Sequence, residues 1–339
     1  MFGIDMNCYY GWNKDISVLK DSASGGIFSV LAGSILSRNG VVFGAVIDYE
    51  TSVVRHIKID SLEDLPRLRR SKYQQSLTET AFHEVEEALA EHRQVLFSGT
   101  PCQVAGLRSY LNTKRIASDD LFTVEVLCHG VTSTKVVQRY LSSIEDKYKR
   151  KVTKYHFRTK DKPWYHSGSS MHICFDDGKE IYRNHAVDEL YLVFGRSVAL
   201  RPSCHTCPFA KLEGRPADIT IGDFWGAEEY IKDKSLLKQG IGLIMTNTDR
   251  GEAFWQDPAV QNKVDFEALD INKAIPRNGA LVQPARASRL REEFFKRFEN
   301  EDFIRLVRSM YKKVIFKEKI KRFIGYDRMR KIRKLRGKR

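Results

Sequence analysis

The nine residues VLFSGTPCQ at positions 95–103 combine a short apolar run, a loop and a cysteine. The run 95–97 predicts a buried strand, and the glycine, threonine and proline after it predict a tight turn into a helix over 104–111. Strand, loop and helix in this order form the unit from which parallel α/β sheets are built. Cys102 is therefore expected at the end of a strand, where open α/β sheets bind ligands.

Three further cysteines extend this pattern. Residues 121–127 read LFTVEVL and predict a second buried strand, which Cys128 follows directly. Cys204 and Cys207 form a C-x-x-C segment followed by proline. Thiolates at strand ends and on a C-x-x-C loop can meet around one metal centre.

The spacing of the four cysteines favours an iron–sulfur cluster. Proline after a ligand cysteine is typical of ferredoxins, whereas a structural zinc site usually contains two C-x-x-C pairs. Zinc stays open as the alternative, because spacing alone does not exclude it. Of the other two cysteines, Cys174 alternates within a predicted strand and is expected in the core, and Cys8 is left without a role.

The rest of the chain predicts an α/β fold with a mixed sheet. Strands alternate with helices from 41 to 149, which indicates parallel strand–helix units in the N-terminal half. The C-terminal half has the pattern of antiparallel α+β structure. We expect strands over 41–48, 53–59, 152–157, 170–175, 180–183, 218–223 and 240–247, and helices over 82–93, 132–149, 188–196 and 226–238. Three regions follow: α/β over 1–150, α+β over 151–311, and a basic tail over 312–339.

The positive charge of the chain is concentrated at its end. The net charge of the 339 residues is +14, and residues 312–339 alone contribute +12. The remainder is nearly neutral, which argues against a nucleic-acid groove spread over the fold, so no nucleic-acid partner is expected. Apolar residues between these cations predict a basic amphipathic helix lying on anionic lipid, with a frayed basic tail as the alternative.

The sequence contains no apolar run of 18 residues and no secretory signal. We therefore expect a cytoplasmic protein, in peripheral contact with the inner membrane surface through its tail. In a reducing compartment, spaced cysteines are more often metal ligands or redox groups than disulfides.

Three more segments carry candidate ligand contacts. SASGG at 22–26 opens a predicted helix, and its glycines would let a backbone approach a phosphate, although the sequence alone favours a plain helix cap. SKYQQS at 71–76 places a lysine and a tyrosine in a polar loop. DITIGDFWG at 218–226 ends a strand in an acid and two aromatic residues. His129 lies beside Cys128 and could donate a hydrogen bond to a flavin, or simply be exposed.

Taken in chain order, these segments resemble the coenzyme F420 hydrogenase/dehydrogenase beta-subunit family. The resemblance covers roughly residues 10–249 and is specific, because six short motifs occur in the same order. They are S-x-S-G-G at 22–26, S-K-Y-x-Q-S at 71–76, F-S-G-T-P-C-Q at 97–103, C-H-G at 128–130, R-P-S-C-x-x-C at 201–207 and D-I-T-x-x-D-F-W-G at 218–226.

The resemblance implies an iron–sulfur flavoprotein oxidoreductase. In such a protein a flavin, FAD or another flavin or deazaflavin, passes electrons between a hydride carrier and a [4Fe-4S] cluster. The implied cluster ligands are Cys102, Cys128, Cys204 and Cys207. The implied cofactor-binding residues are Ser24, Gly25, Gly26, Lys72, Tyr73, Gln74, Ser98, Gly99, Thr100, His129 and Asp223. The resemblance leaves the catalytic residues unassigned.

Many relatives begin with a ferredoxin-like module, and this chain is expected to start where that module would end. Electrons would then need a separate ferredoxin-like donor or acceptor, together with a small-molecule substrate. Similar proteins occur among bacterial surface-polysaccharide enzymes, which suggests surface-polysaccharide biosynthesis as the setting. Two rivals remain: a non-catalytic zinc-stabilised protein, and an accessory protein of a membrane-associated polysaccharide complex.

Overall fold

The computed structural model describes residues 7–161 and 170–324, with side chains up to residue 321. Within these residues the strands form a nine-stranded sheet, in the order β12-β1-β11-β10-β6-β5-β2-β3-β4, and a three-stranded sheet, β7-β8-β9. The strands are β1 (Asn7–Asn13), β2 (Val41–Asp48), β3 (Val53–Ile59), β4 (Ser76–Leu77), β5 (Val95–Gly99), β6 (Leu121–Val126), β7 (Val152–Thr159), β8 (Ser170–Phe175), β9 (Glu180–Asn184), β10 (Ile219–Asp223), β11 (Gly242–Thr246) and β12 (Val264–Ala268).

The helices cover both faces of the large sheet and one face of the small one. They are α1 (Ile16–Asp21), α2 (Ile27–Leu36), α3 (Leu65–Leu68), α4 (Ala81–Ala90), α5 (Pro101–Lys114), α6 (Thr134–Tyr148), α7 (Glu189–Gly195), α8 (Lys234–Gln239), α9 (Asp249–Trp255), α10 (Pro258–Gln261), α11 (Ile271–Ala274), α12 (Arg291–Phe298) and α13 (Phe303–Ile324). Short 3₁₀ turns occur at Pro202–Thr206, Ala227–Glu229, Ile275–Arg277 and Gly279–Leu281.

Parallel pairing brings the ends of several strands to one edge of the large sheet. Strands β2, β5, β6 and β10 are neighbours and run parallel. Strand β1 runs in the same direction, because both β1 and β10 pair antiparallel with β11. We call the edge where these five strands end the carboxyl edge. The loop before β4 also lies there, since β4 runs parallel to β3 and β3 runs antiparallel to β2.

Side chains of the central strands alternate between two cores, as expected of a sheet covered on both faces. Leu96 of β5 packs on one face with α2 and its neighbours. Val95 and Phe97 pack on the other face with α4 and α5. A separate core lies between the small sheet and helices α6, α7, α12 and α13. The continuous apolar runs in the sequence are therefore explained by burial on both faces.

A buried polar network joins β10 to β6. Glu125 of β6 accepts hydrogen bonds from Arg215 (2.6 Å) and from Thr220 of β10 (2.9 Å), and the side chains of Glu125 and Arg215 are almost fully buried. Two residue pairs away along the strands, Asp218 accepts from the backbone and hydroxyl of Thr123. These bonds fix the register of β10 beside β6, because a shifted strand would leave a buried carboxylate without its partner.

The predicted fold class is confirmed: the sheet is mixed, with parallel units first and antiparallel structure after them. The helix predicted over 226–238 is wrong. A 3₁₀ turn at Ala227–Glu229 follows Gly226, whose φ is +112°, and α8 begins only after Asp233 caps it. The proposed division at residue 150 stays a prediction, although β10, β11 and β12 join the sheet that the N-terminal half begins.

The beginning of the predicted tail is part of a long helix. Phe303, Leu306 and Val307 of α13 are buried in the core beside the small sheet. The helix kinks at Tyr311 and continues outward, where Phe316 is 64% exposed. Residues 325–339 lie outside the described residues. None of the described helices has both the length and the apolar content that crossing a bilayer would require.

Candidate metal and cofactor site

The four cysteines predicted as a metal centre converge at the carboxyl edge. The thiol of Cys128, just after β6, interacts electrostatically with Cys102, Cys204 and Cys207. Cys204 interacts in the same way with Cys102 and Cys207. All four are free thiols. The structure therefore places together thiols that the sequence separates by up to about a hundred residues.

Backbone contacts bring the C-x-x-C segment to Cys128. The backbone N–H of Arg201 donates to the carbonyl of Val131 (2.9 Å), immediately before the 3₁₀ turn that carries Cys204. Gly130 allows this approach: its φ is +137°, and an added Cβ would lie 3.2 Å from the Cβ of Cys204 and 2.8 Å from Leu200. A larger residue after His129 would thus push the segment away from Cys128.

Cys102 lies in the first turn of α5, which begins earlier than the predicted 104. Thr100 and Gln103 form a reciprocal capping box, so the helix starts at Pro101. The Thr100 hydroxyl is 3.1 Å from the Cys102 sulfur. The Cys102 thiol is exposed at this helix start, where it is open to a metal centre.

The electrostatics of the buried thiols favour a bound cation. Burial, with the three neighbouring thiols, raises the pKa of Cys128 to about 12. Burial is also the main cause of the raised pKa of Cys204. Cys128 and Cys204 therefore stay protonated by themselves, whereas a metal centre would deprotonate them on binding.

A single zinc ion and a cluster place different demands on these thiols. Thiolates around tetrahedral zinc lie about 3.8 Å apart, given Zn–S bonds of about 2.3 Å. Among the described residues, no three of these cysteines have sulfurs that all lie within 4.8 Å of one another. Four thiols are also the donor set of a [4Fe-4S] cluster, which holds each thiolate on a different iron. The residues present fit such a cluster.

The predicted glycine motif serves mainly to pack backbones. A Cβ on Gly25 would lie 2.4 Å from the carbonyl oxygen of Gly11 and 2.5 Å from the nitrogen of Gly242. Gly26 caps α2 with φ +74°. The Ser24 hydroxyl donates to the carbonyl of Ile241 (2.9 Å). The motif thereby joins α2 to β1 and β11, and it leaves the start of α2 at the carboxyl edge.

The predicted loop residues Lys72, Tyr73 and Gln74 have three different environments. The Lys72 ammonium donates to the carbonyls of Leu68 (2.9 Å) and Arg69 (2.6 Å). The Tyr73 ring packs 4.5 Å from the ring of Phe194. The Gln74 amide is buried and donates to Ser52 and Thr134 (both 2.8 Å), so it holds the loop in place.

Several cations surround the start of α2. The guanidinium groups of Arg69 and Arg70 both pair with Asp21. Lys160 donates to the carbonyls of Leu19 and Ser24. Burial lowers the pKa of Lys72 and that of Lys160 to about 7. We call Arg69, Arg70, Lys72 and Lys160 the cation cluster. Near neutral pH the single carboxylate of Asp21 does not balance the positive charge of this cluster.

The remaining predicted residues line the same edge. The Ser98 carbonyl accepts from His56 (2.9 Å), and Gly99 ends β5 before the capped turn of α5. His129 is half-buried, with Nε2 3.3 Å from the Ser197 hydroxyl and its ring edge-on to Phe194. Burial lowers the pKa of His129, so the ring is neutral at pH 7.

Asp223, at the end of β10, pairs with the buried guanidinium of Arg158. Sequence reasoning missed Arg158 and Lys160, which reach the site from β7 in the other sheet. Their signal was present: two cations two residues apart, at the end of a predicted strand, lie on one face of it. Only their partners, Asp223 and the 19–24 segment, could not be read from the sequence.

Comparison with known proteins bears on the identity of the fold and site. The family model for the C-terminal region of coenzyme F420 hydrogenase/dehydrogenase beta subunits matches residues 92–272, more than half of the chain. The chain belongs to this family. The matched region contains all four clustered cysteines, together with His129 and Asp223. Membership indicates an oxidoreductase related to the beta subunits of coenzyme F420 hydrogenases.

A solved structure supports the fold of this family member over most of its length. A chain in a structure described as "Xenon derivatization of the F420-reducing [NiFe] hydrogenase complex from Methanosarcina barkeri" is 18% identical, with a TM-score of 0.53. The match covers 80% of the present chain and 89% of that chain. A comparison with curated proteins finds no match.

Replacement of Gly25 tests whether the glycine motif packs backbones or makes room for a ligand. Gly25→Ala should lower the free energy of unfolding by about 1–3 kcal/mol, because its Cβ would overlap fixed backbone atoms. Gly195→Ala is the matched control, since nothing lies within 4 Å of its added Cβ. Urea unfolding measures both. A Gly25→Ala variant as stable as the parent, yet unable to bind flavin, would contradict the packing role.

Proposed function

We propose that this protein is a flavin- and [4Fe-4S]-dependent oxidoreductase, which passes electrons between a hydride carrier or small substrate and an iron–sulfur partner. Family membership supports the reaction class. The observation that carries the proposal is the convergence of four free thiols at the edge that also bears the cation cluster. Thiolates are the ligands of iron–sulfur clusters, and cations attract the phosphates of a dinucleotide.

Cys102, Cys128, Cys204 and Cys207 would hold the cluster, which supplies one-electron transfer when bound. The chain prepares the ligands in different ways. The start of α5 presents Cys102 at the carboxyl edge, and Gly130 lets the 204–207 segment close against Cys128. The partly buried surroundings would exclude water and so tune the potential of the centre.

The flavin would lie between the cluster and the cation cluster. Ser24, Gly25, Gly26 and Lys72 would lie near its phosphates, since the start of α2 and the cations face the same edge. Tyr73 and His129 both pack on Phe194 and would form an aromatic and polar wall beside the ring. His129 directly follows Cys128, so a ring beside it is close to the cluster ligands. Ser98, Gly99, Thr100, Gln74 and Asp223 support these positions.

Cys204→Ser tests the ligand assignment. The variant should lose most of its iron and sulfide and its brown charge-transfer absorbance, because serine is a poor ligand for the cluster. Anaerobic purification followed by iron, sulfide, zinc and flavin analysis measures this, and the parent should contain about four irons, about four sulfides and about one flavin per chain.

Cys8→Ala is the matched control for this test, because Cys8 is buried in β1 and belongs to a different core. It should keep full absorbance. A Cys204→Ser protein with unchanged iron content would refute the ligand set. Zinc without flavin in the parent would instead favour the non-catalytic zinc-stabilised alternative.

The cation cluster predicts pH-dependent binding of FAD. Lys72 and Lys160 are charged below their pKa of about 7 and neutral above it, so deprotonation removes attraction for a diphosphate. For the flavin-free protein, the dissociation constant for FAD should therefore rise above pH 7. If binding needs one lysine to be charged, the rise is up to about tenfold per pH unit, and each further lysine adds the same factor. Fluorescence titration between about pH 6 and pH 8 measures it.

Lys72→Met should bind FAD more weakly at low pH and with a shallower pH dependence. Lys58→Met is the control, because Lys58 is exposed on β3 and outside the cluster. Thermal unfolding checks that both variants are folded. An affinity that does not change with pH, in parent and Lys72→Met alike, would remove the lysines from the flavin site.

We also propose a ferredoxin-like electron partner, a cytoplasmic location with peripheral contact at the inner membrane, and a role in surface-polysaccharide biosynthesis. The membrane contact is supported by the outer part of α13. There the apolar side chains of Phe316 and Ile320 are exposed one helical turn apart among Lys313, Lys317 and Lys319. This pattern is typical of helices that bind anionic lipid surfaces.

Removal of residues 317–339 should abolish binding to phosphatidylglycerol vesicles and leave flavin content unchanged. The cut spares Val314 and Ile315, which contact the core. Vesicle sedimentation measures binding, and phosphatidylcholine vesicles and the Phe316→Ser variant serve as controls for charge and for insertion. Loss of flavin on truncation would show that the tail belongs to the cofactor fold.

A further inference from the structure

A second group of metal-ligating side chains lies on the small sheet. Met171, Ile173 and Phe175 of β8 point into the core, so His172 and Cys174 point to the opposite face. Cys174 is half-buried on that face, which corrects the expectation that it lies in the core. In the hairpin register, Glu180 of β9 lies directly opposite Cys174. A histidine, a cysteine and a carboxylate thus meet on one surface.

One ligand atom from each of these three residues lies within 4.8 Å of the other two, which is close enough for the three to share one metal ion. His172 Nε2 is 3.0 Å from Glu180 Oε2 and 3.5 Å from Cys174 Sγ, and Cys174 Sγ is 3.8 Å from Glu180 Oε1. Around tetrahedral zinc, sulfur, nitrogen and oxygen ligands lie about 3.4–3.6 Å apart, given bonds of about 2.0–2.3 Å. The clustered cysteines at the carboxyl edge form no such group of three within 4.8 Å among the described residues.

Neighbouring rings orient the histidine. The Tyr182 ring stacks on His172 with centroids 4.5 Å apart and planes 1° from parallel. His156 of β7 lies opposite His172 in the strand register, with ring centroids 5.8 Å apart. Strand pairing therefore holds His172, Cys174 and Glu180 on a rigid hairpin and offers His156 or water as a fourth ligand. Lys154 lies opposite Cys174 in the strand register.

We propose that His172, Cys174 and Glu180 bind zinc or a similar divalent transition metal, at a site separate from the four clustered cysteines. The mixed nitrogen, sulfur and oxygen donors suit zinc, which is intermediate in softness. Binding replaces the Cys174 thiol proton with the metal and releases that proton to solvent. The site does not depend on the proposed flavin and cluster chemistry.

Zinc titration of the full chain, purified with its own cofactors and treated with a mild chelator, tests the proposal. Isothermal titration calorimetry with zinc chloride should show one equivalent bound tightly by the parent. Cys174→Ser and Glu180→Gln should each weaken that binding more than about tenfold, as loss of a direct ligand costs at least as much as loss of a supporting contact.

Two controls separate this site from incidental binding. His83 lies near Glu86 and Glu87 on exposed α4 without a cysteine, so His83→Ala should keep the tight equivalent. Cys8→Ala should keep it as well. Circular dichroism verifies that each variant is folded. Equal affinity of the parent and both ligand variants would overturn the proposal.

X-ray absorption of the zinc-loaded parent identifies the ligands directly. One sulfur with two or three nitrogen or oxygen neighbours would support the site on β8 and β9. Four sulfur neighbours would place the zinc among the clustered cysteines and overturn it. A parent that binds no tight equivalent would overturn it too.

Discussion

The buried pair of Glu125 and Arg215 is the interaction on which the rest of the site depends. It fixes β10 beside β6, and β6 in turn carries Cys128 at its end. Breaking a buried ion pair by removing one partner costs about 3–5 kcal/mol, a large part of the roughly 5–15 kcal/mol that stabilises a typical domain. An ordinary surface pair contributes about 0–1 kcal/mol. The polar network therefore sets the register of β10 beside β6, where apolar packing alone would tolerate other registers.

From that register, the positions of the ligands follow by simple geometry. Parallel strands end at the same edge, so Cys102, Cys128 and Asp223 arrive together after β5, β6 and β10. Close backbone contacts then complete the edge. Because Gly130 has no side chain, the C-x-x-C segment can approach it closely. Gly25 likewise allows close contact with the backbones of β1 and β11. At both positions the glycine is required by neighbouring protein atoms, so the packing of the site and its chemistry share the same residues.

The two groups of candidate metal ligands are held by different kinds of structure. Three separate segments hold the four clustered cysteines: the start of α5, the loop after β6 and the segment at 201–207. One hairpin holds His172, Cys174 and Glu180, and the fixed spacing of paired strands keeps their ligand atoms within 4.8 Å. The four clustered cysteines are thus assembled from distant segments, whereas the second group comes from a single hairpin.

Sequence by itself determined the local elements and the order of the motifs. The strands over 41–48 and 53–59 have the predicted bounds, Cys128 lies just after β6 as predicted, and Cys102 lies in the first turn of the helix that follows β5. Apolar periodicity is a local property, so it survives folding wherever a strand is buried on both faces. The helix prediction over 226–238 fails, because a 3₁₀ turn follows Gly226 and a new helix begins only after Asp233.

Only the tertiary structure decided which residues face one another. Lys160 reaches Ser24, Arg158 reaches Asp223, and β10 to β12 cross into the sheet begun by the N-terminal half. The trio of His172, Cys174 and Glu180 depends on hairpin register, which sets both the opposing pair and the exposed face. The physical reason is that the periodicity of apolar residues indicates which positions of a segment are buried, but not which segment covers them. Pairing between distant segments is fixed by packing and by buried charges.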